Sequence, residues 1–448
     1  MPEMEVSPLK QFATDVVRKL VDRGHRAVFA GGCVRDMLRG QEPKDFDVAT
    51  SALPEQVMAL FPRTIPVGVA FGVVRVLSRG PDPLCIEVAT FRIDGAYSDE
   101  RHPDRVAFST EIEDVKRRDF TINGLLFDPL KNELLDYVGG QADLERRVIR
   151  AIGDPQKRFA EDHLRLLRAI RFAARLDFEI DANTFGAIKD CAGNIHGVSA
   201  ERVRDELAQM LTGPHPRRAF ELLKKAGLLR RILPEIDALQ GVAQPEQFHP
   251  EGDVWEHTLM LLGQLENAPL PLALGALLHD VGKPRTVGRT PERYTFYGHE
   301  HVGARMAHVI AKRLKLSVAE RERIVWLVEK HQYLADAKQL RPSKLKTILV
   351  DPGIRELLAL HRADAVATGR STEQVDYCDF LLSLWTEADL SPPPLLTGHD
   401  LTRHGYTPGP KFKVWLDAVR EAQLDGAMTT PEQAWALVHQ LANIPDAV

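Results

Sequence analysis

Two aspartates stand one residue apart in the stretch PKDFDV, Asp45 and Asp47, inside an apolar run. Side chains alternate faces along a strand, so the pair is expected to point the same way, and like charges on one face repel. A divalent cation between them would offset that repulsion; a solvent-facing strand edge would also tolerate it. Upstream lies a double glycine, Gly31-Gly32, in AVFAGGCVRDMLRG. Glycines between a strand and a helix let the backbone approach a ligand closely, and the helix that follows offers free N–H groups to an anion. Such a turn also occurs as a purely structural device. Carboxylates beside a phosphate cradle suit phosphoryl chemistry, in which Mg2+ takes hard oxygen ligands from one or two carboxylates and from the substrate phosphates. Glu87, in the middle of CIEVATF, is a candidate third carboxylate, because an acid in an apolar strand is costly unless it faces a site or solvent. Arg117, Arg118, Asp119 and Asn123 gather on one short segment, RRDFTINGLLFD. Alone, that segment would read as a solvated charge cluster.

EDHLRLLR places Asp162 and Arg165 three apart, on one face if the segment is helical. Aspartate only accepts and arginine only donates. A base that satisfies both must offer an amine beside an acceptor nitrogen, as cytosine and adenine do on their Watson–Crick edge. Uracil and guanine present a carbonyl beside an N–H and leave both protein groups mismatched. Each buried polar group stranded in this way costs roughly 1–3 kcal/mol, enough for about ten- to a hundredfold discrimination without a nucleic-acid template. The alternative is an ordinary exposed helical salt bridge, worth about 0.3–0.5 kcal/mol. Glu161 is expected to orient the pair, Arg168 to face phosphates or solvent, and His163 to point away from the base.

A second constellation follows in HPEGDVWEHTLMLL, ALLHDVGKPRT, YGHEHVGA, LVEKHQYL and ALHRADAVA. Adjacent His279 and Asp280 in an apolar helix are expensive unless they share a ligand. A lone histidine would read as a core residue, and His249 and His301 are expected to be structural and on the surface, respectively. His257, His279, Asp280, His299, His331 and Asp364 together form a candidate metal set.

The elements that must position these groups can be read from periodicity. Residues 9–24 are expected to form an amphipathic helix, and AVFAGG a short strand entering a turn. DFDVAT, VGVAFGVVRVLS and LCIEVATFRI are expected as further strands, and the polar 94–105 stretch as a mobile loop. From about residue 155 helical periodicity dominates. The expected fold class is α+β: a mixed α/β head over 1–150, a helical neck over 151–240, a helical body over 241–390 and a helical tail over 391–448 beyond the PPP at 392–394. No repeat or low-complexity tract interrupts this order. The 448 residues are 44% hydrophobic, enough for real cores, and the net charge of −5 gives no global pull toward polyanions or anionic membranes. The four cysteines form no CxxC pair, which suits a reducing compartment. The polar N-terminus is unlike a signal peptide, and no apolar run is long enough to cross a bilayer. A cytoplasmic location is expected.

Taken in order, GGCVRD, KDFDVAT, RRDFTINGLLFD, EDHLRLLRAIRFAARL and SAERVRDEL resemble the class II tRNA nucleotidyltransferases, the CCA-adding enzymes and their bacterial poly(A) polymerase relatives. The resemblance implies a polymerase-β-like head in which Asp45 and Asp47 carry Mg2+. Gly31, Gly32, Arg35 and Asp36 would shape the triphosphate and metal site. Arg118 and Asp119, with Asn123 beside them, would meet the ribose or phosphates of the incoming nucleotide. The 93–108 segment, entered through Arg92, Asp94, Gly95 and Tyr97, resembles the family's flexible loop, used in switching from CTP to ATP. His257, His279, Asp280 and Asp364 resemble the four-ligand set of HD-domain phosphohydrolases, and His299 and His331 match the extra positions of the two-metal version. Imidazole with carboxylate suits Mn, Ni, Fe or Mg.

The tail LLTGHDLTRHGYTPGPKFKVWLDAVREAQLDG resembles that of CCA-adding enzymes with an HD domain. The expected function is template-independent addition of CCA to tRNA from CTP and ATP, with a metal-dependent phosphohydrolase acting on 2',3'-cyclic or 2'/3'-phosphate ends. No membrane partner is expected, and monomer and homodimer are both open. The alternatives are a partial CC- or A-adding enzyme or a poly(A) polymerase, the latter ranked lower because FPRTIPVGVAFGVV lacks that branch's basic, histidine-bearing pattern. An RNA-binding HD phosphohydrolase with a non-catalytic head is more remote, since the two aspartates are intact.

Overall fold

The computed structural model describes residues 7–68, 72–94, 106–244, 252–290 and 294–443. The chain divides into two compact units, Met1–Asp237 and Ala238–Val448.

The first unit opens with helix α1 (Pro8–Val21), capped by Ser7 and started by a proline whose missing N–H costs nothing there. Its Ala13, Val16, Val17 and Leu20 recur at helical spacing and are buried, and it packs on strand β1 (Ala27–Ala30). Then come α2 (Gly32–Leu38), β2 (Asp47–Thr50), α3 (Pro54–Leu60), β3 (Thr64–Gly68), β4 (Val73–Leu77), β5 (Cys85–Thr90), β6 (Arg92–Asp94), β7 (Val106–Phe108), α4 (Glu111–Lys116), β8 (Leu126–Asp128), β9 (Glu133–Leu135) and α5 (Gly140–Glu145). Seven strands form one sheet in the order β3-β4-β5-β2-β1-β8-β9. Only β2 and β5 run parallel; the other pairs are antiparallel. This is the expected mixed sheet.

One strand reading is corrected. VGVAFGVVRVLS is not a single strand but the end of β3 and all of β4, two arms of an antiparallel pair. Gly72, at φ +80°, precedes β4, and a Cβ there would press on Phe108 and Thr90 at 3.3 Å. The apolar run hides this turn because both arms are equally hydrophobic. β6 and β7 pair with each other. The expected loop residues Gly95 and Tyr97, and the Asp94 side chain, lie outside the described residues.

The helical part of this unit comprises α6 (Pro155–Glu161), α7 (Leu164–Leu176), α8 (Ala182–Cys191), α9 (Ala200–Leu211) and α10 (Pro216–Lys225). Helix α7 packs against α9 and α10. It is almost wholly buried, Arg165 and Arg171 included, and it stops at Asp177 in the left-handed region, φ 54°. The helical remainder is interrupted by two-residue ribbons, Val148–Ile149 with Glu179–Ile180 and Gly288–Arg289 with Tyr294–Thr295.

In the second unit, helices Val254–Gly263, Leu270–Leu278, Val318–Lys330 and Ile354–Ala367 pack together, and His299–Arg313 lies along Val318–Lys330. A separate core of Leu396, Leu401, Phe412, Trp415, Val419, Ala434 and Val438 holds the last helices. Among the described residues no helix is long and apolar enough to cross a membrane.

Candidate functional site

A cleft of about 600 Å³ in the first unit is lined by Gly31, Gly32, Arg35, Asp36, Asp45, Asp47, Arg118, Asp119, Asn123, Asp162, Arg165 and Arg168. Residues over a hundred positions apart in sequence thus share one space. Asp47 opens β2, but Asp45 lies in the bend before it, which corrects the reading of both on one strand. Pro43 has no N–H with which to extend the ladder. The alternation of faces persists even so: Asp45 and Asp47 are exposed while Phe46 and Val48 are buried. Asp47 is open to water yet stands in a concave cleft, where nearby protein strips part of its solvation. That desolvation, reinforced by the Asp45 and Glu87 carboxylates, pushes its pKa up to about 6. Glu87 is in register with Asp47 on the neighbouring strand, but its carboxylate is held by Arg75 at 2.7 Å and it does not line the cleft.

Gly31 adopts φ +73°, and a Cβ there would lie 2.9 Å from the Arg118 guanidinium. Arg118 donates to the Asn123 carbonyl at 3.2 Å. Both Arg117 and Arg118 are gripped by the buried carboxylate of Asp114, at 2.6 and 3.1 Å. Burial alone would raise Asp114, but the two guanidiniums hold it below the usual carboxylate range. Arg35 donates to Asn123 Oδ1 at 2.7 Å and pairs with Asp36 at 2.9 Å. Asp119 is buried, accepting from Asn123 at 3.0 Å and from Arg168 at 2.7 Å. Burial would raise its pKa; Arg168 and Asn123 overcome that and lower it. Arg168 is therefore neither free nor merely solvated: it ties α7 to the RRD segment. Arg35, Arg168 and Arg171 surround the Phe172 ring at 5.5, 5.4 and 4.3 Å.

The EDHLRLLR segment is not one continuous helix, so the expected three-apart spacing on a helical face does not hold. Glu161 ends α6, Asp162 is extended (φ −150°, ψ 105°), and His163 is the N-cap of α7. The break follows from chemistry: the Asp162 carboxylate accepts from the Leu164 N–H at 3.0 Å, an aspartate-headed turn that competes with the helix. Arg202 grips both Asp162 oxygens, at 3.1 and 2.8 Å. Arg165 donates to Glu161 at 2.5 Å and to the carbonyls of Arg158 and Arg117 at 2.8 and 3.2 Å. Glu161 thus orients Arg165 alone, and it does not itself line the cleft. His163 is buried, its Nδ1 on the Phe159 carbonyl at 2.7 Å, and is absent from the cleft wall.

In the second unit, His257, His279 and Asp364 form one close group and Asp280, His299 and His331 another. Asp280 reaches toward both, with Oδ2 3.1 Å from His279 Nε2 and Oδ1 3.4 Å from His299 Nε2. His279, His299 and His331 each fix Nδ1 on a backbone carbonyl at 2.7 Å, those of Ala276, Phe296 and Val328. A carbonyl can only accept, so each Nδ1 bears a proton and each Nε2 is the ring atom turned inward, the one a metal ion would take. Burial would raise Asp280; His279 and Lys283 hold it well below the usual range. His301 is exposed, 62% of its side chain accessible, and His249 lies outside the described residues.

A sequence profile of the poly A polymerase head domain matches residues 27–150. One for the probable RNA and SrmB-binding site of polymerase A matches 177–240, and one for the HD domain matches 253–369. The CCA-adding enzyme of Lactobacillus helveticus is 41% identical over 56% of this chain and 63% of its own length. That of Geobacillus stearothermophilus is 43% identical over 50% of this chain and 54% of its own length, so the match spans little more than half of these relatives. The A-adding tRNA nucleotidyltransferase of Deinococcus radiodurans is 36% identical over 93% of this chain and 95% of its own. The chain belongs to the tRNA nucleotidyltransferase and poly(A) polymerase family. Within this family, the crystal structure of the Bacillus stearothermophilus CCA-adding enzyme with CTP superposes with a TM-score of 0.75 at 27% identity, covering 97% of this chain and 98% of that one.

Tested against the cations that family membership implies, both donor sets fit. In the first unit, Asp47, raised first by desolvation and then by its neighbouring carboxylates, and Asp45 are hard oxygen donors of the kind Mg2+ takes. In the second, His299 and His331 bring their Nε2 atoms to within 3.2 Å of each other. Burial and the neighbouring histidines push His331 down to about 3, so its ring is neutral and its Nε2 is able to ligate. A metal ion would draw both nitrogens to itself. Sequence reasoning passed over Asp114 and Arg202. Asp114 had a local signal, standing three and four residues before Arg117 and Arg118. Arg202 had none, since its partner lies 40 residues away.

Proposed function

We propose that this protein adds CCA to the 3' end of tRNA without a template, using CTP and ATP. One observation carries the reading: acceptor-only Asp162 and donor-only Arg165 line the same cleft as Asp45 and Asp47. The 3'-hydroxyl of the tRNA attacks the α-phosphate; the new bond joins that oxygen to phosphorus, the bond to the β-phosphate breaks, and pyrophosphate leaves. Arg117 and Arg118, held by Asp114, and Arg35 face the triphosphate beside the Gly31 turn. Asp162 accepts from the base amine and Arg165 donates to the adjacent ring nitrogen. Asp45 and Asp47 would hold Mg2+, which lowers the barrier to deprotonating the hydroxyl and stabilises the leaving pyrophosphate. All four cysteines are free, in keeping with a reducing, cytoplasmic setting.

A second reading, an A-adding enzyme, is favoured by the full-length similarity to the Deinococcus radiodurans A-adding protein. One assay separates them: tRNA lacking its 3' end, and tRNA ending in CC, incubated with CTP, ATP or both, with the products sequenced. CCA ends on the first substrate support the main reading. Extension only of the CC-ended tRNA supports the second, and long A tails support a poly(A) polymerase.

We further propose that the histidine-rich centre is a metal-dependent phosphohydrolase of 2',3'-cyclic or 2'/3'-phosphate RNA ends. His257, His279, Asp280, His299, His331 and Asp364 would hold the metal, which would polarise the phosphoryl oxygen. The purified full chain supplied in turn with Mn, Ni, Fe and Mg should hydrolyse 2',3'-cyclic AMP with at least one of them. Inactivity with all four counts against the reading.

A further inference from the structure

We infer that Arg39, Arg147 and Arg175, gathered where α2, α5 and α7 end, form a phosphate site for the backbone of the RNA strand whose 3' end is extended. The inference rests on the nucleotide-addition reading above and gives that cleft a seat for its second substrate.

Arg39 closes α2 at the end opposite the Gly31 turn, about 12 Å away at the rise of a helix. Arg175 stands in the last turn of α7, about 15 Å along the axis from the base-reading Arg165. The two helix ends meet. The Arg39 guanidinium lies 5.7 Å from the centre of the Phe178 ring, just past the end of α7. Arg147 joins them through the two-residue ribbon, its carbonyl accepting from the Glu179 N–H at 3.0 Å. The corner is therefore remote from the Gly31 turn, where the triphosphate is placed, and from the base-reading pair.

Its charge is unbalanced. Every other arginine lining the cleft grips a carboxylate, Arg171 on Glu206 at 2.7 Å among them. Arg175 lines the same cleft and is exposed. Among the described residues, neither it nor Arg39 nor Arg147 has a carboxylate within ion-pair distance. The nearby acids are taken: Asp36 by Arg35 at 2.9 Å, and Asp177 and Glu179 by Arg218 at 3.6 and 2.5 Å. Burial lowers the Arg39 pKa; Asp36 counters this, but Arg35, Arg147 and Arg175 push it further down. Arg147 also holds φ 57°, a left-handed conformation that glycine would adopt with less strain. A cation in the last turn of a helix suits the helix dipole. That accounts for Arg175 alone, not for three guanidiniums drawn together without a counterion.

The layout of the cleft says which anion supplies one. The base and triphosphate of the incoming nucleotide are provided for elsewhere. What remains to be placed is the RNA strand, whose 3'-hydroxyl must reach Asp45 and Asp47. The stretch from Arg39 to Asp47 joins the corner to those carboxylates, and its Gln41, Glu42 and Lys44 are exposed and line the cleft. A strand lying along this rim runs its backbone from the corner to the metal-binding pair. Phosphate contacts of this kind position a strand without reading its sequence.

The test uses the full-length protein and labelled tRNA lacking its 3' end, with Kd measured between about 50 and 200 mM KCl. Arg147→Gln/Arg175→Gln, both at exposed positions, is expected to weaken binding by about 10- to 30-fold near 0.1 M salt. The slope of log Kd against log salt should flatten by about 1.4, or about 0.7 for each phosphate contact to a single strand. KM for CTP should stay within about twofold. Arg147→Lys/Arg175→Lys keeps the charge and should keep the wild-type slope. A rise in KM for CTP matching the loss of tRNA binding would assign the corner to the triphosphate and overturn the inference. So would an unchanged Kd and slope, or a lysine variant as shallow as the glutamine one. Wild-type protein that adds no nucleotide to any RNA defeats the nucleotide-addition reading, and the tRNA-binding measurement then decides the corner alone. A weaker, shallower glutamine variant supports it; equal binding, or none even by wild type, sinks it.

Discussion

Asp47→Ala should abolish nucleotide addition while leaving the fold intact. Incorporation of CTP and ATP into tRNA lacking its 3' end is expected to fall by about a thousandfold or more, because the metal contribution that this carboxylate supports is several kcal/mol of transition-state stabilisation. The fold should survive because Asp47 is exposed at the start of β2 and leaves no apolar cavity when truncated to alanine. Stability should respond in a particular direction. The folded-state pKa of Asp47 is raised to about 6, above its ordinary value, so the folded chain binds a proton there more tightly than the unfolded chain does. With divalent ions chelated, wild-type stability should therefore decline as pH rises from about 4 to about 6 on account of this group. The alanine variant should lack that contribution and melt no lower than wild type at pH 7. A variant that melts far lower, or that incorporates nucleotide well, would remove Asp47 from the proposed role.

Arg165→Ala should relax the choice of nucleotide more than it slows addition. The wild-type pair discriminates because a wrong base strands two polar groups: an aspartate facing a carbonyl and a guanidinium facing an N–H. With Arg165 gone, uracil and guanine meet only one mismatch. The preference for CTP and ATP over UTP and GTP, read as a ratio of kcat/KM, should drop by about ten- to a hundredfold. Asp162→Ala should shift the same ratio in the same direction. A variant that loses rate on all four nucleotides equally, with its preference intact, would show that the pair is structural. The supports matter here. Arg165 is fixed by Glu161 and two backbone carbonyls, and Asp162 by Arg202. A site whose polar groups could swing to satisfy any base would not discriminate.

The sequence discloses best those features where chemistry constrains residue type. Two acids around an apolar residue, a glycine pair after a strand, and an adjacent His-Asp are each costly without a ligand, so their presence is informative; the His-Asp pair, expected within a helix, follows the end of the buried helix Leu270–Leu278. The mixed sheet and the helical remainder are legible because periodicities of two and of 3.6 differ plainly. What stayed hidden depends on partners remote in sequence or on local breaks that apolar patterning masks. The β3–β4 turn sits inside a uniformly hydrophobic run. The kink at Asp162 is invisible to periodicity, because leucines and arginines keep helical spacing immediately after it. Arg202 acquires meaning only when folding brings Asp162 to it.

The clasps on Asp162 and Arg165 have a consequence for where information resides. Ordinary polymerases copy a text held in another strand. On the proposed reading, this protein carries its short text in side chains, and the salt bridges that immobilise them serve as its memory. A substitution in the clasp is then an edit made once in a gene and transcribed onto the end of every acceptor that the cleft receives. A clasp that loosened without breaking would be an unfaithful scribe, filling the cell with misspelled tRNA ends rather than with unfinished ones.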